Sequence, residues 1–332
     1  MKFPKIYNAL VALGIILTVF FSIVNLTIGL IFLFCFGFTL LVLRQYIYLY
    51  RAYNWGINKD WSHFLVEEIE IHVAEDPEND QKRNKTDSKS ETCILKGKIY
   101  KSKKNENYRR PFVIMSHGLG EYMETLDPWA MSIALHGYNV LLYNLRGHGK
   151  KINRSQGDSH NLVKNFYDVS AIVELIKKRE DAAADRIAFI GLSLGSIIAL
   201  TTAYDNKEIK TIIALNSIHE FLEIVNQDYS IFDHQWVRRT IVKLIGDYDI
   251  NENQNKLMSP KYHLKKDVEN HKRLYMLTCK DDFLPFEDFI KNVELSGIDE
   301  TNYFVLEKGG HYHYGQKQLV LIKMIEWLDS SL

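Results

Sequence analysis

The chain has 332 residues with 41 basic and 41 acidic side chains, so its formal net charge is zero when the histidines are neutral. Because a nucleic-acid backbone is bound by a basic excess, this balance argues against nucleic acid as a partner. The three cysteines, at positions 35, 93 and 279, show neither paired spacing nor a metal-ligand pattern with histidine. The composition therefore indicates neither a disulfide scaffold nor a zinc site, and it fits a reducing compartment.

The N-terminal part of the chain is apolar: residues 9–43 contain no charged side chain. A membrane-spanning helix needs about 20 apolar residues, so this segment is long for one span and slightly short for two. Asn25, Thr27 and Gly29 lie near its middle and predict a turn between two helices. Basic residues flank the segment on both sides: Lys2, Lys5, Arg44 and Arg51. A helical hairpin over residues 1–52 would place both flanks on the cytoplasmic side, as the positive-inside rule favours.

One long tilted span and a cleaved signal peptide are the alternatives to the hairpin. A single span would put one basic flank on the wrong side of the membrane. A signal peptide has an apolar region of about 7–15 residues followed by a small-residue cleavage site, and neither property matches this segment. We therefore expect a membrane anchor, with residues 53–332 forming a domain that lies in the cytoplasm.

The rest of the chain alternates strand and helix patterns after a polar connector at residues 76–91. Strand patterns lie within residues 66–75, 93–102, 111–118, 138–149, 186–195, 210–217, 273–282 and 302–311. Helical patterns cover residues 127–136, 162–178, 196–205 and 316–328, the last with Leu319, Ile322, Ile325, Trp327 and Leu328 facing inward. Apolar strands that alternate with helices predict an α/β fold with a mostly parallel sheet covered on both faces. Residues 218–265 break the alternation and are interpreted as a cap or lid insertion.

Residues 190–200 read IGLSLGSIIAL, with Ser193 between Gly191 and Gly195. A strand pattern precedes the serine and a helical pattern follows it, so a sharp turn would expose the hydroxyl at the edge of the sheet. Side chains at the two flanking positions would collide with the neighbouring strand and helix, which glycine avoids. The stretch predicts Ser193 as a catalytic nucleophile rather than an incidental serine in a glycine-rich turn.

A serine nucleophile needs a base, and the base needs a carboxylate that orients it. The loop after the last strand carries His311 and His313, and we prefer His311 because the two glycines before it would let the loop approach Ser193. The loop after the preceding strand carries the adjacent residues Asp281 and Asp282. Their side chains cannot point the same way in an extended loop, so one of them faces the histidine. We predict Asp281 as the acid, with Asp282 as the alternative.

Hydrolysis by a serine also needs two backbone N–H groups that bind the oxyanion. One is predicted at Leu194, directly after the nucleophile. The loop HGLGEY, residues 117–122, would supply the other at Leu119, because the glycines on either side of this residue permit a close approach of the backbone. His117 is interpreted as a residue that orients this loop through hydrogen bonds, not as a catalytic group.

These stretches resemble the α/β-hydrolase superfamily, and within it the group of monoacylglycerol lipases, lysophospholipases and serine aminopeptidases. Five motifs occur in the order found in that group: HGLGEY at 117–122, NLRGHG at 144–149, GLSLG at 191–195, DDFLP at 281–285 and GGH at 309–311. The resemblance covers about residues 65–330, all but the apolar segment. It implies a triad of Ser193, Asp281 and His311 that works without a metal or cofactor.

The chain departs from the pattern of that group at three places. Asn144 replaces the usual aspartate after the fourth strand, which we interpret as a structural difference. The glycine usually found three residues before the acid is Thr278 for Asp281, or Cys279 for Asp282, so the choice of acid stays open. The apolar N-terminal segment is not part of the pattern, so soluble relatives do not predict its role.

The resemblance implies a membrane-anchored serine hydrolase that forms an acyl-enzyme, with carboxylic esters, lipid-like ones above all, as favoured substrates. Peptidases, amidases and thioesterases use the same triad and stay open as alternatives. A catalytically silent membrane protein that binds a partner is the alternative from another class, which an intact triad disfavours. A transporter subunit is disfavoured because the apolar segment carries no intramembrane charge. The expected partners are a small-molecule or lipid acyl substrate and the membrane.

Overall fold

The computed structural model describes residues 12–19, 26–53, 61–75, 92–103, 108–226 and 250–332. Internal contacts divide the chain into two units, Met1–Gly56 and Ile57–Leu332. The polar connector at 76–91 and the central part of the predicted insertion, residues 227–249, lie outside the described residues.

The N-terminal unit contains helix α1 (residues 12–19) and helix α2 (Leu26–Tyr53). The window Leu26–Leu43 of α2 has a mean hydropathy of 2.6, so this helix is long and apolar enough to cross a membrane. A signal sequence would also meet this criterion. The two helices contact each other closely, because a Cβ atom on Gly14 would lie 1.9 Å from the ring of Phe36.

The turn predicted near the middle of the apolar segment is wrong in part. Thr27 and Gly29 lie inside the first two turns of α2, whereas Asn25 lies outside the described residues. Glycine is frequent in apolar membrane helices, so its presence did not by itself indicate a turn. Any connection between the helices therefore falls before Leu26.

The second unit is built on a sheet of eight strands in the order β1-β2-β4-β3-β5-β6-β7-β8. The strands are β1 (Phe64–Ala74), β2 (Thr92–Ser102), β3 (Arg110–Ser116), β4 (Asn139–Tyr143), β5 (Ala182–Leu192), β6 (Ile209–Leu215), β7 (Leu274–Cys279) and β8 (Tyr303–Leu306). The pairs β1–β2 and β2–β4 are antiparallel, and all later pairs are parallel. Strands β3, β4 and β7 are buried at every position, which explains the runs of consecutive apolar residues that they contain. The predicted α/β class with a mostly parallel sheet is confirmed.

Helices connect and cover these strands. They are α3 (Asp127–Leu135), α4 (Lys164–Lys177), α5 (Leu194–Ile198), α6 (Phe221–Asn226), α7 (Glu252–Met258), α8 (Asn270–Arg273), α9 (Phe286–Ser296) and α10 (Lys317–Ser331), with a π-helical turn at Ala199–Ala203. The predicted inward face of the last helix was wrong at two positions, since Leu319 is 36% and Ile322 51% exposed. Val320 and Met324 are buried instead, one helical turn apart and one turn before Trp327 and Leu328.

The topology decides where a site can form. In open parallel sheets, ligands bind beyond the carboxyl ends of the strands, where loops from several strands meet. Here the stretches that follow β3, β5, β7 and β8 begin at His117, Ser193, Lys280 and Glu307. The motifs singled out in the sequence therefore lie along one edge of the sheet.

Candidate active site

Ser193 lies in a strained turn between β5 and α5. Its φ of 56° and ψ of −116° are unusual for a residue other than glycine. The backbone fixes it on both sides: its N–H donates to the carbonyl of Leu215 at 3.0 Å, and its carbonyl accepts from the N–H of Ser196 at 2.8 Å. A strained turn between a strand and a helix is the geometry expected of a nucleophile elbow.

The two glycines around Ser193 are required by backbone packing. A Cβ on Gly191 would lie 1.9 Å from the carbonyl oxygen of Gly195. A Cβ on Gly195 would lie 2.2 Å from the carbonyl oxygen of Ser116, at the end of β3. Since neither contact involves a side chain that could move away, the turn cannot form with larger residues at these positions.

His311 and Asp282 form a buried pair beside this edge of the sheet. The Nδ1 atom of His311 lies 2.9 and 3.0 Å from the two carboxylate oxygens of Asp282. The imidazole also packs on the ring of Phe283, with centroids 4.3 Å apart, and its backbone carbonyl accepts from Asn216 Nδ2 at 2.8 Å. A carboxylate that accepts from Nδ1 leaves Nε2 as the atom that can accept a proton.

The preference for Asp281 as the partner of His311 is corrected to Asp282. The Asp281 carboxylate accepts instead from the N–H of Gly310 at 2.7 Å and that of Gly309 at 3.2 Å. The loop turns back on itself because the N–H of Asp282 donates to the carbonyl of Cys279 at 3.1 Å, so the two neighbouring carboxylates diverge. One aspartate shapes the histidine loop and the other holds the imidazole.

The end of β6 contacts both Ser193 and the histidine loop. The N–H of Ser193 donates to the carbonyl of Leu215, and the side-chain Nδ2 of the next residue, Asn216, donates to the carbonyl of His311. In the part of the chain that the structure describes, the hydroxyl of Ser193 and His311 form no hydrogen bond. Such bonds are often long without substrate and tighten in the complex.

The loop after β3 packs directly on Ser193. A Cβ on Gly118 would lie 3.1 Å from Cβ of Ser193, so the backbone that carries Leu119 runs beside the serine. Within the described residues, neither the Leu119 nor the Leu194 amide donates a hydrogen bond to the protein. Both amides are therefore available to a ligand.

Glu121 holds this loop in shape, a role that the sequence analysis missed. The N–H of Gly118 donates to Glu121 Oε2 at 3.1 Å, and the N–H of Glu121 donates to the carbonyl of Gly118 at 3.2 Å. The side chain is buried, and its charge also acts on Lys317 of α10, so the carboxylate is part of the packed interior as well as of the loop. The signal in the sequence was the spacing of three residues, which allows a glutamate to reach back to a free N–H as in a capping box.

His117 orients the same loop from the other end, in line with the interpretation of the sequence. Its Nε2 accepts from the N–H of Leu145 at 3.1 Å, so Nδ1 carries the proton and donates to the carbonyl of Gly118 at 2.8 Å. Complete burial lowers the pKa of His117 to about 3, and the ring is neutral at physiological pH.

Asn144 both accepts and donates a hydrogen bond through its side chain, which an aspartate carboxylate cannot do. Its Oδ1 accepts from the N–H of Met123 at 2.7 Å, while its Nδ2 donates to the carbonyl of Asn153 at 2.9 Å. Because a carboxylate cannot donate, the departure from the motif matches this contact.

Nearby, the buried Arg146 forms an ion pair with Asp168 at 2.6 Å, which the sequence analysis also missed.

His313, the competitor of His311 in the sequence, lies fully buried and forms no hydrogen bond with Asp282. Neither of its ring nitrogens has a hydrogen-bond partner among the described residues, and its φ is 51°. Burial lowers its pKa to about 3. A neutral histidine without an orienting carboxylate lacks what a general base requires.

The described residues contain no group of three or more histidine, cysteine, aspartate or glutamate side chains that could hold a metal ion. The sheet order, the strained serine turn and the carboxylate–histidine pair at the same edge define an α/β hydrolase.

Comparisons with known proteins give the family. The model of the serine aminopeptidase S33 family, Hydrolase_4, matches residues 108–274, half of the chain, and this protein belongs to that family. The match includes the HGLGEY loop and Ser193 but ends before Asp282 and His311. A comparison with curated proteins gave no match.

Solved structures share the fold at low sequence identity. DcsB, determined in complex with its substrate analogue, is 18% identical with a TM-score of 0.56, over 80% of this chain and 99% of that chain. The esterase Pf2001 of Pyrococcus furiosus is 19% identical with a TM-score of 0.56, over 84% of this chain and 94% of that chain. The acylaminoacyl peptidase of Pyrococcus horikoshii is 16% identical with a TM-score of 0.56, over 81% of this chain but 42% of that chain.

Proposed function

We propose that this protein is a membrane-anchored serine hydrolase that cleaves carboxylic esters, with lipid-like acyl esters as the favoured substrate class. The observation that carries the proposal is the combination of Ser193 in a strained turn with a buried His311–Asp282 pair at the same edge of the sheet. Either feature alone has a structural explanation. Together they supply a serine nucleophile and a histidine base that is oriented by a carboxylate.

The proposed reaction has two stages, formation of an acyl-enzyme and its hydrolysis. Ser193 Oγ attacks the carbonyl carbon of the ester while Nε2 of His311 takes the hydroxyl proton, and Asp282 stabilises the imidazolium that forms. The amides of Leu119 and Leu194 bind the oxyanion of the tetrahedral intermediate. The C–O bond to the alcohol breaks, and His311 gives its proton to the departing oxygen. Water then attacks the acyl-enzyme by the same steps, which releases the acid and restores Ser193.

The membrane part of the proposal is supported by α2 and its apolar window Leu26–Leu43. The basic residues on both sides of the apolar segment favour a hairpin with the catalytic domain in the cytoplasm. A site tethered to a bilayer meets acylglycerols, lysophospholipids and acylated proteins at high local concentration. The preference for lipid-like esters follows from this location.

A second candidate function is peptide or aminoacyl-amide hydrolysis. It is favoured by the match to the serine aminopeptidase family and by the likeness to an acylaminoacyl peptidase. The same triad also cleaves thioesters. A catalytically silent interaction protein is disfavoured, because a strained serine turn is costly to keep where it has no use.

The proposal is tested with the full chain in detergent or nanodiscs and the variant Ser193→Ala. We expect turnover of a p-nitrophenyl ester by the wild type and its loss in the variant, with unchanged circular dichroism and thermal unfolding. Wild-type turnover by Ser193→Ala would contradict the assignment. A panel of long- and short-chain esters, thioesters and aminoacyl amides then ranks the substrate classes by kcat/KM, and a preference for the amides would replace the ester proposal.

A further inference from the structure

The loop after the NLRGHG motif presents an isoleucine to solvent. The N–H of Asn153 donates to the carbonyl of Lys150 at 2.9 Å, which closes a tight turn over residues 150–153. Ile152 lies at the tip of this turn and is 98% exposed. An isoleucine in this position loses all the favourable free energy that burial of its side chain would bring.

The turn is held rigidly at its base, so the exposure of Ile152 is built into the fold. The carbonyl of Asn153 accepts from the buried Asn144 at 2.9 Å. The N–H of Ser155 donates to the carbonyl of His148 at 2.9 Å, and Arg154 Nε donates to the carbonyl of Gly147 at 2.8 Å. These hydrogen bonds fix the backbone of the turn in a conformation in which the Ile152 side chain is exposed to solvent.

Three cations surround the exposed isoleucine: Lys150, Lys151 and Arg154. All three are exposed, and none forms an ion pair with the described residues. The nearby carboxylate of Glu124 forms an ion pair with Lys98 at 3.1 Å. The charge of Arg154 is balanced in part by Asp158, whose pKa is lowered by hydrogen bonds from His160 and by the charge of Arg154. The turn therefore combines an apolar tip with two lysines, Lys150 and Lys151, that form no ion pair with the described residues.

The basic turn, residues 150–154, also borders the site. Lys150 Nζ lies 4.8 Å from the ring centroid of Tyr122, at the end of the HGLGEY loop. A surface cleft runs between the two loops, and its lining includes Leu119, Tyr122, Gly147 and Gly149. A surface that binds the basic turn would thus lie next to the proposed oxyanion loop.

We propose that the basic turn binds an anionic lipid surface, with Ile152 entering the interface and the three cations contacting headgroup phosphates. Apolar side chains among lysines and arginines bind membranes in this way, because burial of the apolar part and attraction to anionic lipids add together. The candidate membrane span in α2 would keep such a surface within reach. The proposal does not depend on the chemistry at Ser193.

The test places an environment-sensitive fluorophore at the tip of the turn. The full chain with Cys35→Ser and Ile152→Cys is labelled with a nitrobenzoxadiazole maleimide, since Cys93 and Cys279 are buried and unreactive. It is reconstituted into nanodiscs of phosphatidylcholine, with or without phosphatidylglycerol. We expect a blue shift and a several-fold rise in emission with anionic lipid only, reversed by about 0.5 M salt.

Val268 provides a matched control. It is 77% exposed, but its neighbours carry both signs of charge: Lys265, Lys266, Asp267 and Glu269. A probe at Val268→Cys should keep its aqueous emission in both nanodiscs. The probe at position 152 should lose most of its response when Lys150 and Lys151 are both replaced by Gln, with Arg154 kept because its Nε holds the base of the turn.

Three results would overturn the proposal. They are no shift at position 152 in anionic nanodiscs, an equal shift in neutral ones, or an equal shift at position 268. A response to soluble polyglutamate but not to anionic lipid would indicate an acidic protein partner instead and would also overturn it. Turnover of a soluble ester by each labelled protein reports separately on the proposed chemistry.

Discussion

The serine side and the histidine side of the candidate site are held by different interactions. On the serine side, the contacts are between backbone atoms: Gly191 packs against the backbone of Gly195, and Gly195 packs against the backbone of Ser116. On the histidine side, two carboxylates hold the loop through hydrogen bonds: Asp282 to the imidazole and Asp281 to two amides. The first side tolerates no added atom, whereas the second can be altered one hydrogen bond at a time.

The largest effect should come from the acid on the histidine side. Asp282→Asn keeps the shape but can present an N–H to Nδ1 and select the wrong tautomer of His311, so we expect kcat to fall by about 10⁴-fold. Asp281→Asn keeps one of two hydrogen bonds to the loop and should lower kcat by about tenfold or less, since each such bond contributes about 1–1.5 kcal/mol. Steady-state ester hydrolysis separates the two, and a larger loss in Asp281→Asn would restore the preference drawn from the sequence.

A substitution on the serine side should lower the free energy of unfolding as well as the catalytic activity. In Gly195→Ala the new Cβ meets a backbone carbonyl at 2.2 Å, so β3 or the turn must move. We expect a loss of about 4 kcal/mol or more in the free energy of unfolding, measured by urea titration. Gly137→Ala is the control: its φ of 106° is unfavourable, but the space is open, so the loss should be only about 1–2 kcal/mol. Equal losses would show that backbone packing is not what requires Gly195.

Glu121 tests whether the loop after β3 is held for catalysis. Glu121→Ala frees the N–H of Gly118 and should lower kcat by about 10- to 100-fold with little change in KM, less than the loss of an oxyanion donor itself. Glu121→Gln keeps an acceptor and should restore most of the activity. An increase in KM at unchanged kcat would indicate instead that Glu121 contacts the substrate.

The smallest effect concerns acid stability. His117 and His313 have pKa values lowered to about 3 from the ordinary 6.5, so the unfolded chain binds more protons than the native state in this range. Their contribution is fully present above pH 6.5 and is lost as the pH falls towards 3, by about 1.4 kcal/mol per pH unit for each histidine. His313→Phe should reduce the slope of unfolding free energy between pH 6 and 4 by that amount while ester hydrolysis persists. An unchanged slope would contradict the burial of a neutral His313.

The strained turn at Ser193 could be predicted from the sequence because the pattern that marks it is local, with a glycine two positions before and another two positions after the serine. Gly191 packs on Gly195 within the turn, whereas the contact of Gly195 with Ser116 of β3 could be located only in the structure. The histidine side could not be predicted so well, because the choice between Asp281 and Asp282 depends on how the loop after Cys279 turns. Likewise, the exposure of Leu319 and Ile322 depends on packing between elements that are distant in the chain. The role of Glu121, in contrast, is local, and its spacing of three residues from Gly118 was present in the sequence.

The central claim is that Ser193 is a nucleophile activated by His311 and Asp282. A fluorophosphonate probe, followed by peptide mapping of the adduct, tests it most directly. We predict a single adduct on Ser193 in the wild type, and a labelling rate lower by about 10³-fold or more in His311→Ala and Asp282→Asn. An adduct on another residue, or equal labelling rates in the wild type and both variants, would contradict the account.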